Sequence, residues 1–166
     1  MRGMVLSTRT ASTPDDAKPA MVVNCVAYNT RDGKRIGDVT LDAISDVLKE
    51  PDTFVWVGLH EPDESLLLKL QEEFDLHDLA IEDAQAAHQR TKIEAYGESL
   101  FIVVQTAQLV NGHIAFGETH IFLGARYLVT VRHGASLSYA PARRACEHTP
   151  DLLALGPSYG LYGVLD

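Results

Sequence analysis

Apolar positions along this chain follow two rhythms, and their alternation outlines the fold. Met21 to Tyr28 reads as a strand, Asn29 to Lys34 as a hairpin turn with Gly33 supplying a positive φ, and Arg35 to Val39 as the returning strand. Thr40 is placed to cap a helix with Leu41, Ile44 and Leu48 at helical spacing, stopped before Pro51. Phe54-Val55-Trp56-Val57-Gly58-Leu59 is continuously apolar, as in a central strand covered on both faces. Pro62 and Asp63 open a helix with Leu67, Leu70 and Phe74 on one face, and a second helix runs from about Asp78 to His88. Three strands come next, Ser99 to Val110, His113 to Leu123 and Tyr127 to Arg132, the first two joined by Asn111-Gly112, a strong two-residue turn signal. Pro141 to His148 is helical, and Pro157, with Tyr159, Tyr162 and Leu165 behind it, starts a last helix that has run only about two turns when the chain stops.

Such irregular interleaving predicts an α/β (mixed α+β) fold: a mixed, partly antiparallel sheet sandwiched between helical layers. Residues 1–20 are rich in Ser, Thr, Pro, Asp and Ala without periodicity and are expected to be a disordered leader, leaving 21–166 as one domain. With 166 residues, 46% of them apolar, the chain can bury roughly two-thirds of its unfolded surface.

Composition narrows the function by exclusion. A net charge of −9 argues against nucleic acid as a partner. Cys25 and Cys146 lack a paired spacing and read as two buried, reduced thiols. No run approaches the roughly 18 apolar residues of a membrane span, and no signal peptide is recognisable, so the chain as it stands reads as soluble and intracellular. The seven histidines are scattered over different elements, and no nucleophile motif or phosphate loop occurs, which points away from an enzyme.

The most informative stretch is Leu76-His77-Asp78-Leu79-Ala80-Ile81-Glu82-Asp83, followed by His88-Gln89-Arg90-Thr91-Lys92-Ile93-Glu94, Tyr96 and Leu100-Phe101-Ile102-Val103. Glu82 and Asp83 are adjacent on a helix, so they point about 100° apart and cannot grip one ion as a tight pair. Two carboxylates can still offer Mg²⁺ a weak, largely water-mediated site if another surface completes it. An ordinary solvated acidic helix face accounts for the same spacing. Arg90 and Lys92 can bind anions, but pairing with Glu94 or with a neighbouring subunit's acids is simpler.

This run resembles the cytoplasmic domain of the CorA family of magnesium/cobalt channels, over roughly Val22 to Asp166. The family pattern has Pro where Asp78 and Thr91 stand here; both are shaping positions, and the fold is expected to survive them. The resemblance implies a regulatory domain of a divalent-cation channel, a homopentamer of the inner membrane with this domain on the cytoplasmic side. It further implies weak regulatory Mg²⁺, with Co²⁺ or Ni²⁺ as surrogates, at the boundary between subunits. Glu82 and Asp83 occupy the family's metal positions, and His88 falls near the same site. Ser158 stands where the family has an acid before a Tyr-x-x-Tyr, which weakens a second regulatory site. The Gly-Met-Asn signature and both membrane helices are absent from this stretch, and an isolated fragment is expected to be monomeric or weakly associated. A related zinc transporter is the alternative, and an uncharacterised soluble α/β enzyme stands below it.

Overall fold

A computed structural model describes residues 21–166; the leader expected over 1–20 lies outside the described residues. Among the described residues seven strands form one sheet in the order β2-β1-β3-β7-β6-β5-β4. They are β1 (Val22–Asn29), β2 (Arg35–Asp38), β3 (Thr53–His60), β4 (Lys92–Tyr96), β5 (Ser99–Val110), β6 (His113–Leu123) and β7 (Tyr127–Gly134). Only β3 and β7 pair in parallel; the other neighbours are antiparallel. The helices are α1 (Ile44–Val47), α2 (Glu64–Phe74), α3 (Asp78–Gln85), α4 (Ala140–Glu147), α5 (Pro150–Leu153) and α6 (Pro157–Leu165). Among the described residues no helix is long and apolar enough to cross a membrane.

Strand β3 is buried from Thr53 to Leu59 because helices cover both faces of the sheet there. Val55, Val57 and Leu59 join Leu67 and Leu70 of α2 and Ile81 and Ala84 of α3 in one core. Phe54 and Trp56 point the other way, to Cys146 of α4, Leu153 of α5 and Val164 of α6. This is the sandwich that the apolar rhythm predicts. Both cysteines are free and buried.

Local signals hold in most places. The Asp63 side chain accepts from Leu66 N–H at the start of α2, and Gly33 has φ +66° in the first turn. Two expectations need correction, and one element was not foreseen. Thr40 makes no side-chain cap, and a short 3-10 turn (Leu41–Ala43) leads into the single turn of α1. The helix begun at Asp78 ends at Gln85, not His88; Ala86 is extended and His88 turns left-handed at φ 72°. Lys92 to Tyr96, to which the sequence reading assigns no element, is an edge strand paired with Ser99–Val103 of β5.

Candidate functional site

Helix α3 lies over one face of the sheet, anchored by Ala80, Ile81 and Ala84, which are at most 3% exposed. That anchoring turns Glu82 outward. It is exposed, and among the described residues no ion pair engages it. Asp83 faces the sheet instead and is half-buried, with its Oδ2 2.5 Å from Lys92 Nζ. Lys92 also lies 3.0 Å from Glu94, and its ammonium sits 5.7 Å above the Phe101 ring. The hydrogen bond to Asp83, chief among the causes, holds the Lys92 pKa above its ordinary value; that from Lys92 holds the Glu94 carboxyl below its own. The structure thus gives Lys92 both Glu94 and an unforeseen partner, Asp83.

His88 is exposed, and its backbone matters more here than its ring. Its N–H donates to Glu118 Oε1 at 3.0 Å. Glu118 is 4% exposed and also accepts from His120 Nε2 at 2.8 Å, while Gln105 Nε2 lies 3.4 Å from its other oxygen. Gln105 additionally donates to the Gln89 carbonyl at 2.7 Å. One strand further across the sheet, His133 opposes Glu118 in register. Its ring lies between the Ala84 carbonyl and Glu61, 3.2 Å from each. Glu61 also accepts from Gly134 N–H at 2.7 Å. Burial raises the Glu61 pKa, but the Gly134 N–H and His133 outweigh it and hold the carboxyl below its ordinary range.

A polar row, Gln105–Glu118–His133, therefore clamps the end of α3 and the His88 turn to the sheet. Sequence reading missed Glu118, His120 and Glu61. The signal available was the alternation Glu118-x-His120-x-Phe122, which places two polar groups on the face that Phe122 buries. His120 takes its neutral form there: burial, the largest influence, holds its pKa below 6.5 against the pull of Glu118. Among the described residues its buried Nδ1 meets no hydrogen-bond partner.

Among the described residues no group of three or more His, Cys, Asp and Glu side chains is gathered that could hold a metal ion. The donors on α3 are carboxylate oxygens, which suit a hard cation such as Mg²⁺. One chain nevertheless offers a fragment of a site: Glu82 points into solvent and Asp83 is already paired. Ser158, at the start of α6, is exposed and brings no carboxylate.

Comparisons with known proteins bear on the family and the fold. Residues 51–157 match the family described as CorA-like Mg2+ transporter protein. YfjQ of Bacillus subtilis (strain 168), named as a putative metal ion transporter, is 29% identical over 120 residues, covering 72% of this chain and 37% of that protein. The chain thus spans little more than a third of that relative's length. The soluble domain of CorA from Methanocaldococcus jannaschii superposes with a TM-score of 0.60 at 13% identity, covering 88% of this chain and 56% of the other. The cytoplasmic domain of ZntB from Vibrio parahaemolyticus RIMD 2210633 gives 0.59 at 8% identity, covering 86% and 57%. At such identities the structural likenesses speak for the fold alone and do not favour the zinc alternative. With its matched region extending from before β3 into α6, the chain belongs to the CorA-like Mg2+ transporter protein family.

Proposed function

We propose that this chain is the regulatory domain of a larger divalent-cation transporter and senses Mg²⁺ where two copies meet. The observation that carries the reading is the exposed Glu82 beside an Asp83 whose charge partner is the exchangeable, partly exposed Lys92. Neither carboxylate closes a site alone, so the ion would be shared with oxygens of a neighbouring subunit and held largely through water. Weak affinity follows, because Mg²⁺ gives up its hydration shell reluctantly and has few direct ligands here.

The mechanism is electrostatic. A bound ion cancels the repulsion between acidic subunits and favours their closed arrangement; when the ion leaves, like charges push the subunits apart and the transport path opens. Asp83 would exchange Lys92 for the ion, leaving Lys92 to Glu94. His88 would border the site through a turn held by Glu118. On this reading the chain works as a homo-oligomer, a pentamer in the complete protein, on the cytoplasmic side of the inner membrane, and it performs no catalysis. Co²⁺ or Ni²⁺ can stand in for Mg²⁺ at oxygen ligands.

The test uses the 166-residue protein and the full-length transporter in parallel. Sedimentation of the isolated chain should show a monomer or weak association, shifted toward association by about 10 mM Mg²⁺, an excess over a weak carboxylate site. Glu82→Gln with Asp83→Asn should abolish that shift. In vesicles loaded with Mg²⁺, the same double variant of the full-length protein should continue to take up ions where the parent is inhibited. Equal inhibition of both proteins would remove Glu82 and Asp83 from the sensing role.

A further inference from the structure

Between Gln105 and Gly117 the β5–β6 hairpin leaves the sheet. Its neighbours stop short: β4 pairs no further along β5 than Val103, and β7 reaches no further along β6 than Gly117. The segment 106–116 is therefore a two-stranded ribbon with no neighbouring strand on either edge among the described residues, extending about 17 Å beyond its neighbours at ~3.4 Å per residue. Its root is fixed in direction. Ala135 N–H donates to the Phe116 carbonyl at 3.3 Å, Thr106 Oγ1 to the Ala135 carbonyl at 3.2 Å, and Gly117 packs so closely on this loop that a Cβ would collide with its backbone.

The ribbon turns its apolar side to water. Ala107 pairs with Phe116 and Leu109 with Ile114, all on the face that carries Gln105 and Glu118 further in. Leu109 is 77% exposed, Ile114 66% and Phe116 72%, while Thr106 and Gln108 on the opposite face are half-buried. Helix α3 ends too early to cover this face. A cavity of about 300 Å³ lies at its root, bordered by Phe116, His88, Glu61 and His133. An isolated two-stranded ribbon is marginal in water, and contiguous exposed apolar side chains mark a contact surface.

We propose that the ribbon face formed by Leu109, Ile114 and Phe116 docks against a second copy of this chain. Charge selects the occupant. Copies with a net charge of −9 repel one another, yet residues 99–117 contain no Asp, Glu, Lys or Arg. Contact through this stretch brings no like charges together, whereas a basic foreign partner would gain more from the acidic helix faces. Its few side chains fall short of the ~800 Å² per partner of a standard stable interface. Association through it is therefore weak in the isolated chain and strengthened when copies are tethered in one assembly. The contact adds a surface to the proposed homo-oligomer and does not depend on the metal site.

The chain's cysteines make the test clean. Cys25 and Cys146 are buried, and burial pushes the Cys25 thiol up to about 12 and raises that of Cys146 as well, so both are poor nucleophiles. Leu109→Cys therefore supplies one reactive thiol on the ribbon, and Ile36→Cys, at a 58% exposed position on β2, is the control. A short bis-maleimide should join Leu109→Cys chains into dimers several-fold more than Ile36→Cys chains, in chelator as well as in Mg²⁺. Adding Ile114→Asp should suppress this without changing the near-ultraviolet circular dichroism. Equal cross-linking of the two cysteine variants overturns the proposal. So does burial of the ribbon only on neutral phosphatidylcholine vesicles, which would assign the face to lipid. Cross-linking that needs Mg²⁺ and disappears with Glu82→Gln and Asp83→Asn overturns it too, while upholding the metal-sensing reading.

Discussion

Lys92 Nζ sits 2.5 Å from Asp83 Oδ2, an ion pair that ties the inner side of α3 to the edge strand β4. It divides two carboxylates adjacent in sequence into different roles: Glu82 stands in solvent, and Asp83 is held by a cation that any metal must displace. On the proposed metal-sensing reading, Lys92→Gln should tighten Mg²⁺ binding at α3 by about fivefold, the Boltzmann factor of the ~1 kcal/mol that a unit charge exerts at 4 Å in water. Stability should fall by no more than about 1 kcal/mol, because both side chains are roughly one-quarter exposed. Amide chemical shifts followed through a Mg²⁺ titration measure the first effect and urea unfolding the second. Unchanged affinity would mean that Asp83 does not meet the ion.

Glu118 should be among the most sensitive polar positions in the domain. It accepts from His88 N–H and His120 Nε2 while 4% exposed, so Glu118→Ala strands the buried His120 donor and frees the His88 N–H. A loss of about 3 kcal/mol is expected, against roughly 1 kcal/mol for Glu118→Gln, which keeps an acceptor. Hydrogen exchange at the His88 amide should accelerate in the alanine variant beyond what the global loss of stability explains.

Acid should weaken the fold in two stages. His120 is buried with its pKa below 6.5, so above that pH both folded and unfolded chains are neutral there and stability is complete. As pH falls through 6.5 the unfolded chain takes up a proton that the folded chain refuses, and stability declines until the lowered folded value is reached. Glu61 and Glu73 act next, below their ordinary 4.5. In Glu61 the Gly134 N–H and His133 outweigh an opposing burial effect, and in Glu73 the Ser45 N–H leads in holding the carboxyl down. Both contribute stability above 4.5 that disappears as pH falls through their lowered values. Urea midpoints between about pH 7 and pH 5 should fall less in His120→Gln than in the parent.

Gly33→Ala should cost about 3 kcal/mol or more, combining left-handed strain with overpacking. Gly33 has φ +66°, and a Cβ there would strike the Pro150 carbonyl at the start of α5. Thermal unfolding measures it. Gly112→Ala, at φ +79° but with open space around it, should cost only the strain.

Local patterning made most of the elements and the family readable, because each depends on neighbours within a turn or a hairpin. The apolar run of β3, the Asp63 cap, the Asn111-Gly112 turn and the order of acids, His88 and Lys92 are all of this kind. Contacts between distant residues were not readable. Lys92 to Tyr96 became a strand because β5 offered it an edge, and that pairing carried Lys92 to Asp83. Glu118 is buried because α3 and the His88 turn close over its end of β6, thirty residues away in sequence, and bring it an N–H to accept. The helix from Asp78 stops at Gln85 where the following turn is drawn to that same carboxylate and to Gln105. A carboxylate's burial, pairing and availability to an ion depend on what the folded chain sets against it, and those partners come together only when the sheet assembles.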